Sequence, residues 1–343
     1  MFVSLYKLKV IIRKIKSMTT RQLIKLFIRK VEIVLISLFG RTRDARVMTY
    51  RMNDRFIDKL NCRLQLRDTV VTDILEKQYL NTVCLKYFDH QFDLLGSGWV
   101  KVAYGMQCAG LERYIFKHCT ASGIEEELLS NVNIQEIQRI RSLLDAAYIP
   151  IDWHIDFKSG YRWNPASWYL DIKYGDKGGV DIKVPWELAR MQHLPQLARA
   201  YVTESVSKPD DTRLNLCVFE FRNQTLDFIS SNPPRFGVNW SCTMDVAIRI
   251  ANLLLAYDIF QSAGVVFDAE FDTIFSRSVG EHGYHIAENL EWSKDFRGNH
   301  YLANLVGLIF VASYLPEDQR TNTWLQFSVQ ELLIEIQHQF NDE

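Results

Sequence analysis

The 343-residue sequence contains no CxxC pair, and its six cysteines (Cys62, Cys84, Cys108, Cys119, Cys217 and Cys242) are scattered. That spacing argues against a zinc site and against a dense disulfide framework. Buried thiols in a reducing compartment fit it better, which favours a cytoplasmic or membrane-peripheral location, with the periplasm as the alternative. A membrane span is also lacking, since it needs about 20 apolar residues and Val31 to Phe39 is short and interrupted by Glu32. No small-x-small cleavage site follows that stretch, so a signal peptide is not expected. The glycine-rich run Gly96–Ser97–Gly98 is too short to cradle a phosphate. Nothing in the spacing implies a cofactor or a metal.

Charge of one sign is missing overall, with a net of −1, but not locally. Met1 to Arg46 holds twelve Lys or Arg against Glu32 and Asp44, a net of +10, which leaves −11 on the remainder. Apolar residues (Phe2, Leu5, Leu8, Ile12, Ile15) interleave with the basic ones at helical spacing. Residues 1–46 are therefore expected to form a basic amphipathic helical extension, and residues 1–39 to lie against an anionic membrane surface or on the protein itself. An acidic body with one basic arm does not suit nucleic acid.

Residues 47–343 read as a single all-α domain with little strand signal. Segments around Val70 to Leu80 and from Ile124 to Tyr148 have helical patterns, the latter with Asn133 and Glu136 imitating a capping box. Met244 to Gln261 and Tyr301 to Tyr314 are apolar on nearly every face and read as helices buried all round. Weaker patterns cover Val266 to Arg277 and Tyr284 to Trp292, and an amphipathic helix runs from Arg320 to Phe340. Buried and amphipathic helices in alternation suit a toroid of helical hairpins whose loops form a cleft at one end. The segment between them, rich in Trp and Gly (Trp153, Trp163, Trp168), reads as a long functional loop.

Candidate chemistry gathers at a few positions. Asn299 and His300 stand at the N-terminal mouth of a buried helix, where backbone N–H groups and the dipole favour an anion; ordinary capping by Asn is the alternative. Glu187 and Arg190, three apart, can pair on one helical face. Arg249, four residues after Asp245 on an apolar helix, either meets that carboxylate or faces a polar cleft.

The ordered set FDHQFDLLGSG, DIKVPWELAR, NPPRFGVNW with MDVAIR, and HIAENLEW with GNHYLANLVGL resembles the heparinase II/III polysaccharide lyases, in their N-terminal domain, from about Phe88 onward. The resemblance implies an (α/α) toroid followed by a β-sandwich, and cleavage of uronic-acid-containing polysaccharides by β-elimination. It implies Asn299 as the group that neutralises the uronate carboxylate, with His300 as a neighbouring donor. Arg190 and Arg249 become candidates for gripping further acidic groups, and Asn239 and Trp240 for lining sugar faces. The family's general-base tyrosine lies beyond a helix ending like QHQFNDE, where this sequence stops at Glu343. The expectation is therefore an incomplete toroid, truncated before the catalytic tyrosine and the β-sandwich, with little lyase activity alone. A non-catalytic module that binds acidic polysaccharide is the rival reading. A glycoside hydrolase would need two facing carboxylates, and no spacing singles out such a pair.

Overall fold

The structure is a computed structural model that describes residues 39–45, 60–63, 74–116, 134–207, 211–293 and 298–339. The chain divides into two compact units, Met1–Val47 and Met48–Glu343. In the first, residues 41–45 are helical and Arg43 pairs with Asp44; the amphipathic arm read over residues 1–38 lies outside the described residues.

The second unit is all-α and toroid-like. Its helices are α1 (Ile74–Phe88), α2 (Ile134–Ser142), α3 (Lys183–Ala189), α4 (His193–Ser207), α5 (Thr212–Ser231), α6 (Thr243–Ser262), α7 (Ala269–Glu288), α8 (Asn299–Tyr314) and α9 (Gln319–Gln339). A small hairpin, Gln91–Asp93 with Trp99–Lys101, is the one sheet among the described residues. Helices α4, α6 and α8 pack side by side, and α5, α7 and α9 cover them. Successive hairpins thus alternate between an inner and an outer row, and the nearly uninterrupted apolar character of α6 and α8 follows from burial on all sides. The inner row is tight where α8 crosses α6: a Cβ on Gly307 would stand 2.6 Å from that of Ala247.

The weak patterns read over Val266 to Arg277 and Tyr284 to Trp292 form one helix, α7. Asp268 caps it by accepting from the Phe271 N–H at 2.9 Å, and Gly283 in its middle fits against Val311 and Trp324 rather than breaking it. The pattern read from Ile124 to Tyr148 yields helix only over Ile134–Ser142 among the described residues. It stops there because neighbouring α5 takes over its end: Arg222 donates to the Leu143 carbonyl at 2.8 Å and the Asp145 N–H donates to Asn223 at 3.0 Å. Asn133 lies outside the described residues, and Glu136 pairs with Arg139.

The tryptophan-rich segment before α3 is irregular, as expected, but its three tryptophans pack inward. Trp153, Trp163 and Trp168 are all buried, so this stretch is core built from loop. Its backbone is anchored by Asp227 of α5, whose Oδ2 accepts from Tyr148 Oη at 3.0 Å, the Ile151 N–H at 2.9 Å and Trp153 Nε1 at 3.0 Å. Burial nonetheless outweighs these donors and raises the Asp227 carboxyl to about 6. Asp227→Ala would orphan three buried donors at once. The expected cost is about 3–5 kcal/mol, measurable as a lower denaturant midpoint; a change below about 1 kcal/mol would show that the loop is held by other contacts.

Candidate functional site

Short connections bring three segments to the first turn of α6. Arg190, closing α3, donates from Nε to Asp245 at 2.6 Å and from Nη1 to Glu187 at 2.6 Å. Burial opposes its charge, but Asp245 and Glu187 outweigh that and raise its pKa. The Glu187–Arg190 pair read from spacing is therefore present, with Asp245 added to it. On the other side of the turn, Asn299 Nδ2 lies 3.9 Å from the sulfur of Met244.

Asn299 is not a cap. The N-cap of α8 is Gly298, extended at φ −142°, with no side-chain cap bond, and Asn299 is the first helical residue. Its amide is exposed, at the place where the first N–H groups of α8 point outward. Beside it, His300 Nδ1 meets Glu291 Oε1 at 3.0 Å. A ring whose Nδ1–H is given to Glu291 can donate outward from Nε2 only when it carries both protons.

Glu291 is the hub that spacing did not reveal. Its Oε2 accepts from the Met244 N–H at 2.7 Å and from Asn304 Nδ2 at 3.3 Å. Its own N–H donates to Asn304 Oδ1 at 2.8 Å. One carboxylate thus ties the start of α6 to the mouth of α8, and Asn304, a fully buried amide on α8, serves this contact. Cys242 Sγ lies 3.8 Å from Glu291 Oε1, and burial, then Asp245 and Glu291, push its thiol far up. Trp292, next in sequence, is 50% exposed; a tryptophan following the hub in HIAENLEW was the available signal for it.

The remaining candidates lie deeper. Arg249 is fully buried and does not pair with Asp245, which is engaged by Arg190. It donates from Nε to His282 Nε2 at 3.0 Å and stacks over Phe228 and Trp240. Its two terminal nitrogens have no partner among the described residues. Burial lowers its pKa to about 9, against Asp245 and Cys242. Trp240 is 2% exposed, donates to the Asn232 carbonyl at 3.1 Å and packs against His282 and His285. Asn239, buried beside it, donates to the Trp153 carbonyl and to Asn232, both at 2.8 Å. Both residues hold the NPPRFGVNW turn in place and show almost no surface to solvent.

Tyr301 and Tyr314 on α8 are committed elsewhere, to Glu331 at 2.9 Å and Asp258 at 2.5 Å. No helix among the described residues is long and apolar enough to cross a membrane.

Comparison with known proteins gives one match. The sequence model described as heparinase II/III N-terminus matches residues 123–343, which takes in every motif above except FDHQFDLLGSG at 88–98. No curated protein and no solved structure matches the sequence. With α2 through α9 inside the matched region and their hairpins in toroid-like order, the chain belongs to the heparinase II/III family, matching its N-terminal domain over residues 123–343.

Proposed function

We propose that this polysaccharide lyase-related module takes the carboxylate of a uronic acid at the mouth of α8, against Asn299 and His300, in β-elimination on an acidic polysaccharide. The observation that carries the reading is the position of Asn299: an exposed neutral amide on the first turn of a buried helix, with no capping duty. A proton beside a carboxylate is too weakly acidic to remove until that charge is neutralised. Donors fixed where charge develops, here the Asn299 amide and the outward N–H groups of α8 with His300 as a neighbouring donor, supply the neutralisation. Glu291 holds the His300 ring in place by direct contact at 3.0 Å. Arg190 acts through the anchor it makes with Asp245, and Trp292 offers a ring to a sugar face. Arg249 lies one turn further along α6 and would answer a second acidic group only if one reached that depth.

The test is to incubate the chain with uronate polymers and follow the absorbance of the unsaturated product, measuring binding in parallel. Asn299→Ala is expected to cut any turnover on the order of a hundredfold or more, and to weaken binding about tenfold. Binding that depends on Asn299 without any turnover would assign the chain the role of a polysaccharide-binding module. Turnover that survives Asn299→Ala would refute the assignment.

A further inference from the structure

We propose that Cys242, Glu291 and His300 form a binding site for a divalent metal of the zinc class, with one coordination position open to solvent. The three residues come from separate segments: the residue before α6, the connection after α7, and the first turn of α8. Their ligand atoms, Cys242 Sγ, a Glu291 oxygen and a His300 ring nitrogen, all lie within 4.8 Å of one another. Glu291 Oε1 is 3.8 Å from Sγ and 3.0 Å from Nδ1. Tetrahedral zinc, with Zn–S near 2.3 Å and Zn–N and Zn–O near 2.1 Å, separates its ligands by roughly 3.4–3.6 Å. Those two edges lie within a few tenths of an ångström of this spacing, and the third, Sγ to the ring nitrogen, is at most 4.8 Å, so a metal would draw the sulfur and the ring together by up to about 1 Å.

The donor set also discriminates. One thiolate, one imidazole and one carboxylate suit zinc, cobalt or nickel, and a thiolate ligand disfavours magnesium and calcium. Orientation of the carboxylate is fixed independently of any metal. Glu291 Oε2 is occupied by the Met244 N–H and by Asn304, which turns Oε1 toward Cys242 and His300 in the manner of the outer partners that orient metal ligands. Access is graded: Cys242 is buried, whereas the side chains of His300 and Glu291 are 39% and 29% exposed. A cation would therefore sit on a buried sulfur with its fourth position facing water, the arrangement of open rather than purely structural zinc sites. Binding replaces the His300–Glu291 contact and releases the thiol proton to solvent, so the sulfur coordinates as thiolate. The site was invisible to spacing because no two of its ligands are close enough in sequence to form a motif. The metal test does not depend on the polysaccharide reading, and with a metal on Nδ1 the His300 ring would offer its Nε2–H outward in place of the contact with Glu291.

The experiment uses the full chain, stripped with a chelator and titrated with Co²⁺. One equivalent is expected to bind with a thiolate-to-cobalt charge-transfer band in the near ultraviolet and tetrahedral bands in the visible, and Zn²⁺ should displace it. Cys242→Ser should abolish the charge-transfer band, and Cys62→Ser, at an exposed thiol, should leave it intact. His300→Ala, at a partly exposed position on a helix that tolerates alanine, should weaken Co²⁺ binding about tenfold or more while the helical content stays unchanged. A chain that shows no charge-transfer band, or a band that survives Cys242→Ser, would overturn the site. If Cys242→Ser does not fold, His300→Ala decides alone, and an unchanged Co²⁺ affinity would overturn it.

Discussion

Between pH 7 and pH 5 the larger unit is expected to lose most of its stability. Of the five buried histidines among the described residues, four, His154, His193, His282 and His285, are held neutral by burial. His154 and His285 are lowered to about 3, His193 to about 4, and His282 well below its ordinary value. Arginines add to the effect, Arg162 at His154 and Arg249 at His282. In the unfolded chain each imidazole protonates near 6.5. Their contribution to stability is fully present above that pH and is lost as the pH falls toward 4, because only the unfolded state takes up protons there. Asp227 opposes this: with a folded value of about 6 against 3.8 unfolded, it protonates first in the native state and stabilises the fold as pH falls through the same window. Near pH 5, four protons against one leave a net uptake near three on unfolding, a slope of about 4 kcal/mol per pH unit; at pH 7, where the unfolded imidazoles are mostly neutral, the slope is about 1 kcal/mol per pH unit.

A domain stable by about 5–15 kcal/mol cannot withstand that slope for long. Denaturant or thermal melts between pH 7.5 and 4.5 should show a falling midpoint and acid unfolding in the neighbourhood of pH 5. Replacing His193 with Gln, which keeps a partner for Gln224, should flatten the slope by about one proton. A midpoint that stays level from pH 7 to pH 5 would show that these rings protonate as readily inside the protein as outside.

The second large effect concerns Arg249. A guanidinium without exposure, with both terminal nitrogens unmatched by protein among the described residues, pays a desolvation cost that one bond to His282 and two aromatic faces offset only in part. Arg249→Met keeps length and volume and removes the charge. We expect it to raise stability by about 1–3 kcal/mol, seen as a higher denaturant midpoint. It should also relieve His282 of a neighbouring cation and shift that ring's protonation upward. Lower stability in Arg249→Met would mean that stacking on Phe228 and Trp240 outweighs the buried charge. A gain in stability together with a loss of affinity for uronate polymer would identify Arg249 as a cation held at a cost for an anionic ligand.

These effects mark where the sequence was readable and where it was not. The uniform apolar character of α6 and α8 was plain, because a helix packed on all sides leaves no polar face. Alternation with covered outer helices followed from it. Asn299 stands out because it opens a polar pair at the start of such a helix, though only the backbone of Gly298 separates a solvent-facing amide from a cap. Trp240 and Asn239 drew notice through their motif, but composition does not say whether an indole faces a sugar or a core, and here both side chains are buried. Spacing alone does not choose between Asp245 and a cleft as the partner of Arg249. Helical spacing permits the ion pair, yet Arg190, 55 positions before Asp245, takes that carboxylate. Glu291 was missed for the same reason: its partners Met244, His300 and Asn304 are joined to it only by the packing of three helices.

The most direct test compares the affinity of the chain for a uronate polymer with its affinity for the same polymer after its carboxyls have been reduced to alcohols. Binding that drops about tenfold or more on reduction, and that Asn299→Ala weakens only toward the unreduced polymer, is the predicted result. Equal affinity for both polymers, or an equal effect of Asn299→Ala on each, would contradict a carboxylate held at the mouth of α8.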